Sequence, residues 1–176
     1  GDVAPTEWDA ETKALLCGVV HDENARFQHG ISANAGIFSD LEDMTRFTQM
    51  LACGGKLPDG RAYLSPATMR AALLNRTPGP DHEFRGLGFH LAGSPANFLG
   101  DLMSPRAYGH TGFTGTSFAV DPETGLFVVL LTNRVCPTRE NPRLIRLRSL
   151  IHHVAAAEAS LLCNSLLHRP LEDGAP

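Results

Sequence analysis

Only two of the 176 residues are lysines, Lys13 and Lys56, and nowhere does Lys or Arg form a run. The formal charge of -4 comes from interspersed residues. With no basic stripe to follow a phosphate backbone, the composition argues against nucleic acid as a partner. Long apolar runs are also missing, since no stretch approaches the ~20 residues that a membrane-spanning helix needs. The opening Gly1-Asp2-Val3-Ala4-Pro5 lacks the basic-then-apolar order of a signal peptide. Beginning at Gly rather than Met, the chain is expected to have been cut or trimmed. Cysteine is sparse and dispersed: Cys17, Cys53, Cys136 and Cys163 contain no C-x-x-C pair, which removes the usual zinc and redox patterns. They read as small apolar packing residues in preference to disulfides. His152-His153 lies in a helical pattern that points neighbouring side chains in different directions, so no metal site is expected there, and no cofactor is expected.

What is present is a composition 43% hydrophobic and 19% charged, which fits one globular domain over residues 1 to 176. Residues 1 to 17 carry a weak helical pattern, followed by an apolar step into the polar loop Gly18 to Ala25. In that loop His21, Asp22 and Glu23 read as a rim, with a ligand or acid-base role as the alternative. A Gly-rich turn from Gly30 to Gly36 precedes Ser39-Asp40-Leu41-Glu42, which has the form of a capping box. The helix it opens has Leu41, Met44, Phe47 and Leu51 on one stripe and Gly54-Gly55 at its end. Ser65-Pro66 starts a second, short helix through Met69, Leu73 and Leu74. Gly86 to Leu91 alternates as a strand does, and Gly93 to Arg106 reads as loop.

Two apolar segments, Phe118-Ala119-Val120 and Phe127 to Leu131, flank Asp121-Pro122-Glu123-Thr124-Gly125 and predict an antiparallel hairpin. The second segment is apolar on both faces and is expected to be buried. Asn133 and Arg134 then end a strand. Asn141-Pro142 opens the longest helical pattern, with Leu144, Leu147, Ile151, Val154 and Leu161 as its buried stripe and Arg143, Arg146 and Arg148 facing elsewhere. Ahead of the hairpin, Tyr108-Gly109-His110-Thr111-Gly112-Phe113-Thr114-Gly115 sets an imidazole and a hydroxyl among three glycines. Glycine there would let a substrate approach the backbone, and an open strand edge can offer an amide to a developing oxyanion. On spacing alone, a Gly-rich turn with a surface histidine is the favoured alternative.

The ordered set of segments changes that balance. His110-Thr111-Gly112, the following Phe113-Thr114-Gly115-Thr116 and the Asp121-Pro122 hairpin resemble the third motif of the serine β-lactamase, DD-peptidase and esterase superfamily. That motif is Lys-Thr-Gly in many members and His-Thr-Gly in others. Gly18 to Ala25, Ala35-Gly36-Ile37-Phe38-Ser39 and Leu64-Ser65-Pro66 resemble the same family in the same order, so the likeness covers most of residues 18 to 155. It implies an α/β (α+β) fold of the β-lactamase/transpeptidase type, incomplete in this chain: an antiparallel sheet covered by a C-terminal helix, with part of a helical region. It also implies that His110 faces the cleft and supports proton transfer, and that Thr111 and Gly112 contact substrate. Phe113 would contribute its backbone N–H to the oxyanion hole, where one donor contributes roughly 3 to 4 kcal/mol.

The family also needs a nucleophilic serine three residues before a lysine, because the amine assists deprotonation of the hydroxyl. Ala10 and Cys53 stand in that position here, so no Ser-x-x-Lys exists. Cys53-Gly54-Gly55-Lys56 has the spacing but falls where a helix ends, whereas the family's motif opens one. Tyr63-Leu64-Ser65 has the letters of the second motif but sits where the family has a structural turn. The chain is therefore expected to be the C-terminal portion of a longer serine hydrolase of amide or ester bonds, of β-lactamase, D-Ala-D-Ala carboxypeptidase or carboxylesterase type. The alternative is a non-catalytic relative that binds peptidoglycan-like or acyl ligands. The expected partners are a small-molecule or peptide substrate and an N-terminal segment of the parent, or another subunit, covering the open sheet edge.

Overall fold

The hairpin forms where the sequence predicts it, from β5 (Ser117–Val120) and β6 (Phe127–Leu130), in antiparallel register with Ala119 opposite Val128. The computed structural model describes residues 3–79, 82–95 and 97–167. Asp121 builds the turn: its carboxylate accepts from the Ser104 N–H at 2.8 Å, the Ser104 hydroxyl at 2.6 Å and the Glu123 N–H at 3.0 Å. Burial alone would raise the Asp121 pKa, but the hydrogen bonds from Ser104 and the turn amides outweigh it and hold the carboxyl below its ordinary value. The sheet is completed by β4 (Tyr108–Thr111) and β3 (His90–Leu91), in the order β3-β4-β5-β6 with every pair antiparallel. The strand predicted from Gly86 shrinks to His90–Leu91. Gly88 turns back at a φ of 80°, and the Gly86 and Leu87 amides donate to Phe89 and Ala72 instead of a neighbouring strand.

Each face of this sheet is covered. On one side, α2 (Leu41–Ala52) and α3 (Pro66–Ala72) pack Met50, Leu51 and Met69 against Tyr108 and Val120, with Phe118 and Phe127 at the margin. The Tyr108 hydroxyl donates to the Leu51 carbonyl at 3.0 Å and ties strand to helix. On the other side, Ala156 of α4 (Arg143–Leu167) joins Ala119, Ala107, Leu99 and Met103. An antiparallel sheet with a C-terminal helix across it is the architecture expected. The loop reading of Gly93 to Arg106 also holds, since no strand or helix forms among the described residues of that range.

Several local expectations change. The first residues form no helix but a small hairpin, β1 (Trp8–Asp9) with β2 (Ala14–Leu15), turned by an Asp9 side chain that accepts from the Glu11 amide at 2.9 Å. The cap of α2 is Asp40, not Ser39: its carboxylate accepts from the Asp43 N–H at 2.9 Å. The helix buries Thr48, Met50 and Leu51, while Leu41 and Phe47 are exposed; Phe47 meets Phe118 edge-on across 5.8 Å. Helix α2 ends as read, with Gly54 and Gly55 at φ 65° and 91°, and Ser65 caps α3. Strand β6 is half-buried along its length, because it closes the sheet order and one of its edges has no strand beside it among the described residues.

The longest helix departs furthest. Its buried stripe is Leu144, Arg148, His152 and Ala156, spaced by four, while Leu147, Val154 and Leu161 are exposed. Arg148, expected to face away from the buried stripe, lies on it and is itself buried. Cysteine also differs: Cys17, Cys53 and Cys136 are free and exposed, lying at a β-hairpin exit, a helix C-cap and a loop, and so none serves as packing. The Cys163 side chain lies outside the described set. No helix among the described residues is long and apolar enough to cross a membrane.

Candidate active site at the end of β4

Strand β4 delivers His110 and Thr111 to the open end of the sheet, half-buried and opposite Phe118 and Ser117. The chain then turns: the Gly112 N–H donates to the Thr116 carbonyl at 2.7 Å and the Gly115 N–H to the Gly112 carbonyl at 3.1 Å. The glycines of this run serve the protein's own packing. A Cβ on Gly109 would stand 2.1 Å from the Phe118 carbonyl oxygen, and one on Gly115, whose φ is 125°, would stand 2.6 Å from that of Thr132. Room for a substrate is therefore not what glycine provides at these two positions.

The His110 Nδ1 lies 2.9 Å from the Thr111 carbonyl oxygen. A carbonyl can only accept, so Nδ1 carries a proton, and in the neutral form of the ring Nε2 is the acceptor. His90 crosses the His110 ring edge-on at a centroid distance of 4.9 Å. Burial, followed by the nearby Arg85 and His110 charges, pushes the His90 pKa down to about 4, so at neutral pH this neighbour is uncharged. Burial also raises Tyr108, at the start of the same strand, to about 12.

Phe113, beyond the strand, is 57% exposed as a residue and has its backbone N–H free of hydrogen bonds to other described residues. Beneath the ring lies an assembly that sequence reasoning did not find. His21 stacks on Phe113 at 5.6 Å and 23°, and the Arg134 guanidinium covers it at 4.2 Å. Arg134 Nε also donates to the Phe113 carbonyl at 2.7 Å. Glu7 joins His21 Nε2 at 3.1 Å to Arg139, whose Nε donates to it at 2.7 Å, and Arg139 reaches Glu23 at 2.6 Å. The Arg139 hydrogen bonds hold the Glu7 carboxyl down at about 2.

His21 is thus buried under Phe113 and not on a polar rim. Asp22 caps α1 (Glu23–Phe27), accepting from the Ala25 N–H at 2.8 Å. Asn133 and Arg134 do not end a strand: β6 stops at Leu130, and both lie in the loop that follows. On the sheet side of the turn, Arg148 Nη2 donates to the Gly112 and Thr116 carbonyls at 2.8 and 2.9 Å. The contacts between Glu7 and Arg139, and between Arg148 and Gly112, join residues far apart in sequence, so no local motif advertises them.

The two mimics fall as expected. Cys53 caps the end of α2, and Tyr63 is exposed beside the cap of α3. Among the described residues no group of three His, Cys, Asp or Glu side chains could hold a metal ion, and His152 and His153 bond separately, to the Phe98 carbonyl and to the Ser149 carbonyl.

Comparison with known proteins gives the geometry a context. A family model described as Beta-lactamase matches residues 2–153. Relatives from Salmonella paratyphi B and Salmonella newport, provisionally named D-alanyl-D-alanine carboxypeptidase, are 39% identical over 131 residues, which is 73% of this chain. The chain spans 29% of the length of these relatives. The crystal structure of a beta-lactamase from Mycobacterium bovis matches 71% of this chain and 46% of its own at a TM-score of 0.58 and 24% identity, a likeness of fold. With a family model running from the N-terminal hairpin into the last helix, this chain belongs to the Beta-lactamase family.

Proposed function

We propose that this chain is the C-terminal portion of a serine hydrolase of amide or ester bonds, forming the oxyanion side and one wall of its cleft. The carrying observation is the Phe113 peptide N–H, without a hydrogen-bond partner among the described residues, just past the end of β4 and borne on a turn held by Arg134 and Arg148. In this reading a serine from outside the chain attacks the substrate carbonyl, and the oxygen that gains charge accepts from Phe113 N–H. The amide or ester bond then breaks to leave an acyl-serine, which water hydrolyses. His110, with Nε2 as acceptor, supports proton transfer, while Thr111 and Gly112 contact the substrate's carboxylate or carbonyl. The names of the Salmonella relatives favour a peptide ending in D-alanine over a β-lactam or simple ester.

The absence of Ser-x-x-Lys from these 176 residues favours a second reading, a relative that binds peptidoglycan-like or acyl ligands without turnover. Hydrolysis of D-alanyl-D-alanine peptides, nitrocefin and p-nitrophenyl esters by the full-length parent separates the two. Activity that disappears when the serine of the parent's Ser-x-x-Lys becomes alanine supports the hydrolase. Full activity in that variant contradicts it. The 176-residue chain alone is expected to form no stoichiometric adduct with a fluorophosphonate or a penicillin, as read by intact mass.

A further inference from the structure

Arg148 is 7% exposed, yet no carboxylate among the described residues pairs with it. A buried guanidinium without a counter-ion is costly, and leucine or methionine would fill the same space on a helix face. What Arg148 does touch is specific: Nη2 donates to the carbonyls of Gly112 and Thr116, the two residues that close the turn. The Gly112 carbonyl belongs to the same peptide unit as the Phe113 N–H. In a trans peptide these two groups point in opposite directions, so an arginine that anchors the oxygen aims the N–H away from itself. A cation on the carbonyl oxygen also draws electrons through the amide and makes its N–H a stronger donor. The next peptide unit is held in the same manner, by Arg134 Nε on the Phe113 carbonyl at 2.7 Å.

We propose that Arg148 is a positioning residue that orients and polarises the Phe113 amide as the oxyanion donor; this rests on the hydrolase reading above. It acts through the peptide and touches no reacting atom. The test uses the full-length parent, with residues numbered as in this chain, and compares wild type with Arg148→Lys and Arg148→Met. Lysine keeps the charge but carries it on a shorter, tetrahedral head, without the planar Nη2 amino group whose two hydrogens serve both carbonyls.

The expected result is an Arg148→Lys protein that melts close to wild type, with kcat for D-alanyl-D-alanine peptide or ester hydrolysis lowered about tenfold or more and KM nearly unchanged. Affinity for a boronic acid, which forms a tetrahedral adduct with the serine, should fall by the same factor as kcat. Arg148→Met should lose more. Unchanged kcat and boronate affinity in a folded Arg148→Lys protein would overturn the assignment. So would a loss confined to KM, or a failure of Arg148→Lys to fold, which would make the residue a structural one. A wild-type parent that gives no acyl-serine removes the hydrolase reading and this inference together, whereas acylation that proceeds equally in wild type and variants removes Arg148 alone.

Discussion

Tyr108 and His90 show how single side chains tune the strand that carries the site. The buried Tyr108 hydroxyl donates to a helix carbonyl, an interaction of ordinary strength. Tyr108→Phe is expected to lower stability by about 1 kcal/mol, measured by urea denaturation. His90 is a different case, because its folded pKa of about 4 lies below the ordinary 6.5. Its neutral form belongs to the fold, so the stability it contributes is complete above pH 6.5 and is lost as the pH falls from there toward 4. Urea midpoints collected between pH 7.5 and 4 should decline over that window in wild type and less in His90→Asn. Parallel curves for the two proteins would show that the imidazole is not the group being charged. Phe113 illustrates what was legible at this scale: its place just beyond the strand could be read, its proposed donor role came only from the family resemblance, and the His21 stack and the Arg134 cover come from segments no spacing connects.

Among the elements, those with local punctuation were read well and those relying on periodicity were not. Ser65-Pro66, Gly54-Gly55 and the Asp121 to Gly125 turn are set by the backbone preferences of those residues, and each stands where the sequence predicted. Helix α4 has apolar residues around much of its circumference, so an apolar stripe could be drawn at more than one angle. Packing chose the line through Leu144, Arg148, His152 and Ala156, and left Ile145, Leu147, Leu150 and Val154 outside. Leu144→Ala should therefore cost about 2 to 3 kcal/mol. Leu150→Glu, on the exposed side, should stay within about 0.5 kcal/mol. Chemical denaturation of the two variants of this chain decides between the stripes, and the reverse order of effects would restore the original one.

For the molecule as a whole, the family and the order of its segments were visible in sequence because they depend on turns and one motif strand. The supports of the candidate-site turn were not, since they depend on where distant segments meet. The same large-scale view predicts behaviour in solution. Strand β6 leaves one edge without a neighbouring strand among the described residues, and α4 exposes Leu147, Leu150 and Val154. An edge of this kind pairs with other chains. The isolated chain is expected to self-associate with rising concentration in sedimentation velocity; if the proposed N-terminal segment of a longer parent covers this edge, adding that segment should return the chain to a defined one-to-one complex. A strictly monomeric chain at all concentrations would count against an uncovered edge.

The wide sequence separation of Glu7 from Arg139, and of Gly112 from Arg148, has a consequence in time. During synthesis His110 and Phe113 are added before Arg134, Arg139 and Arg148, so the sequence of the turn is complete before any of its three arginines exists. Closing such long loops is entropically slow. The Phe113 amide should thus be among the last groups to be fixed in direction, and a chain truncated before Arg134 would display the His-Thr-Gly sequence without the shape that gives it meaning.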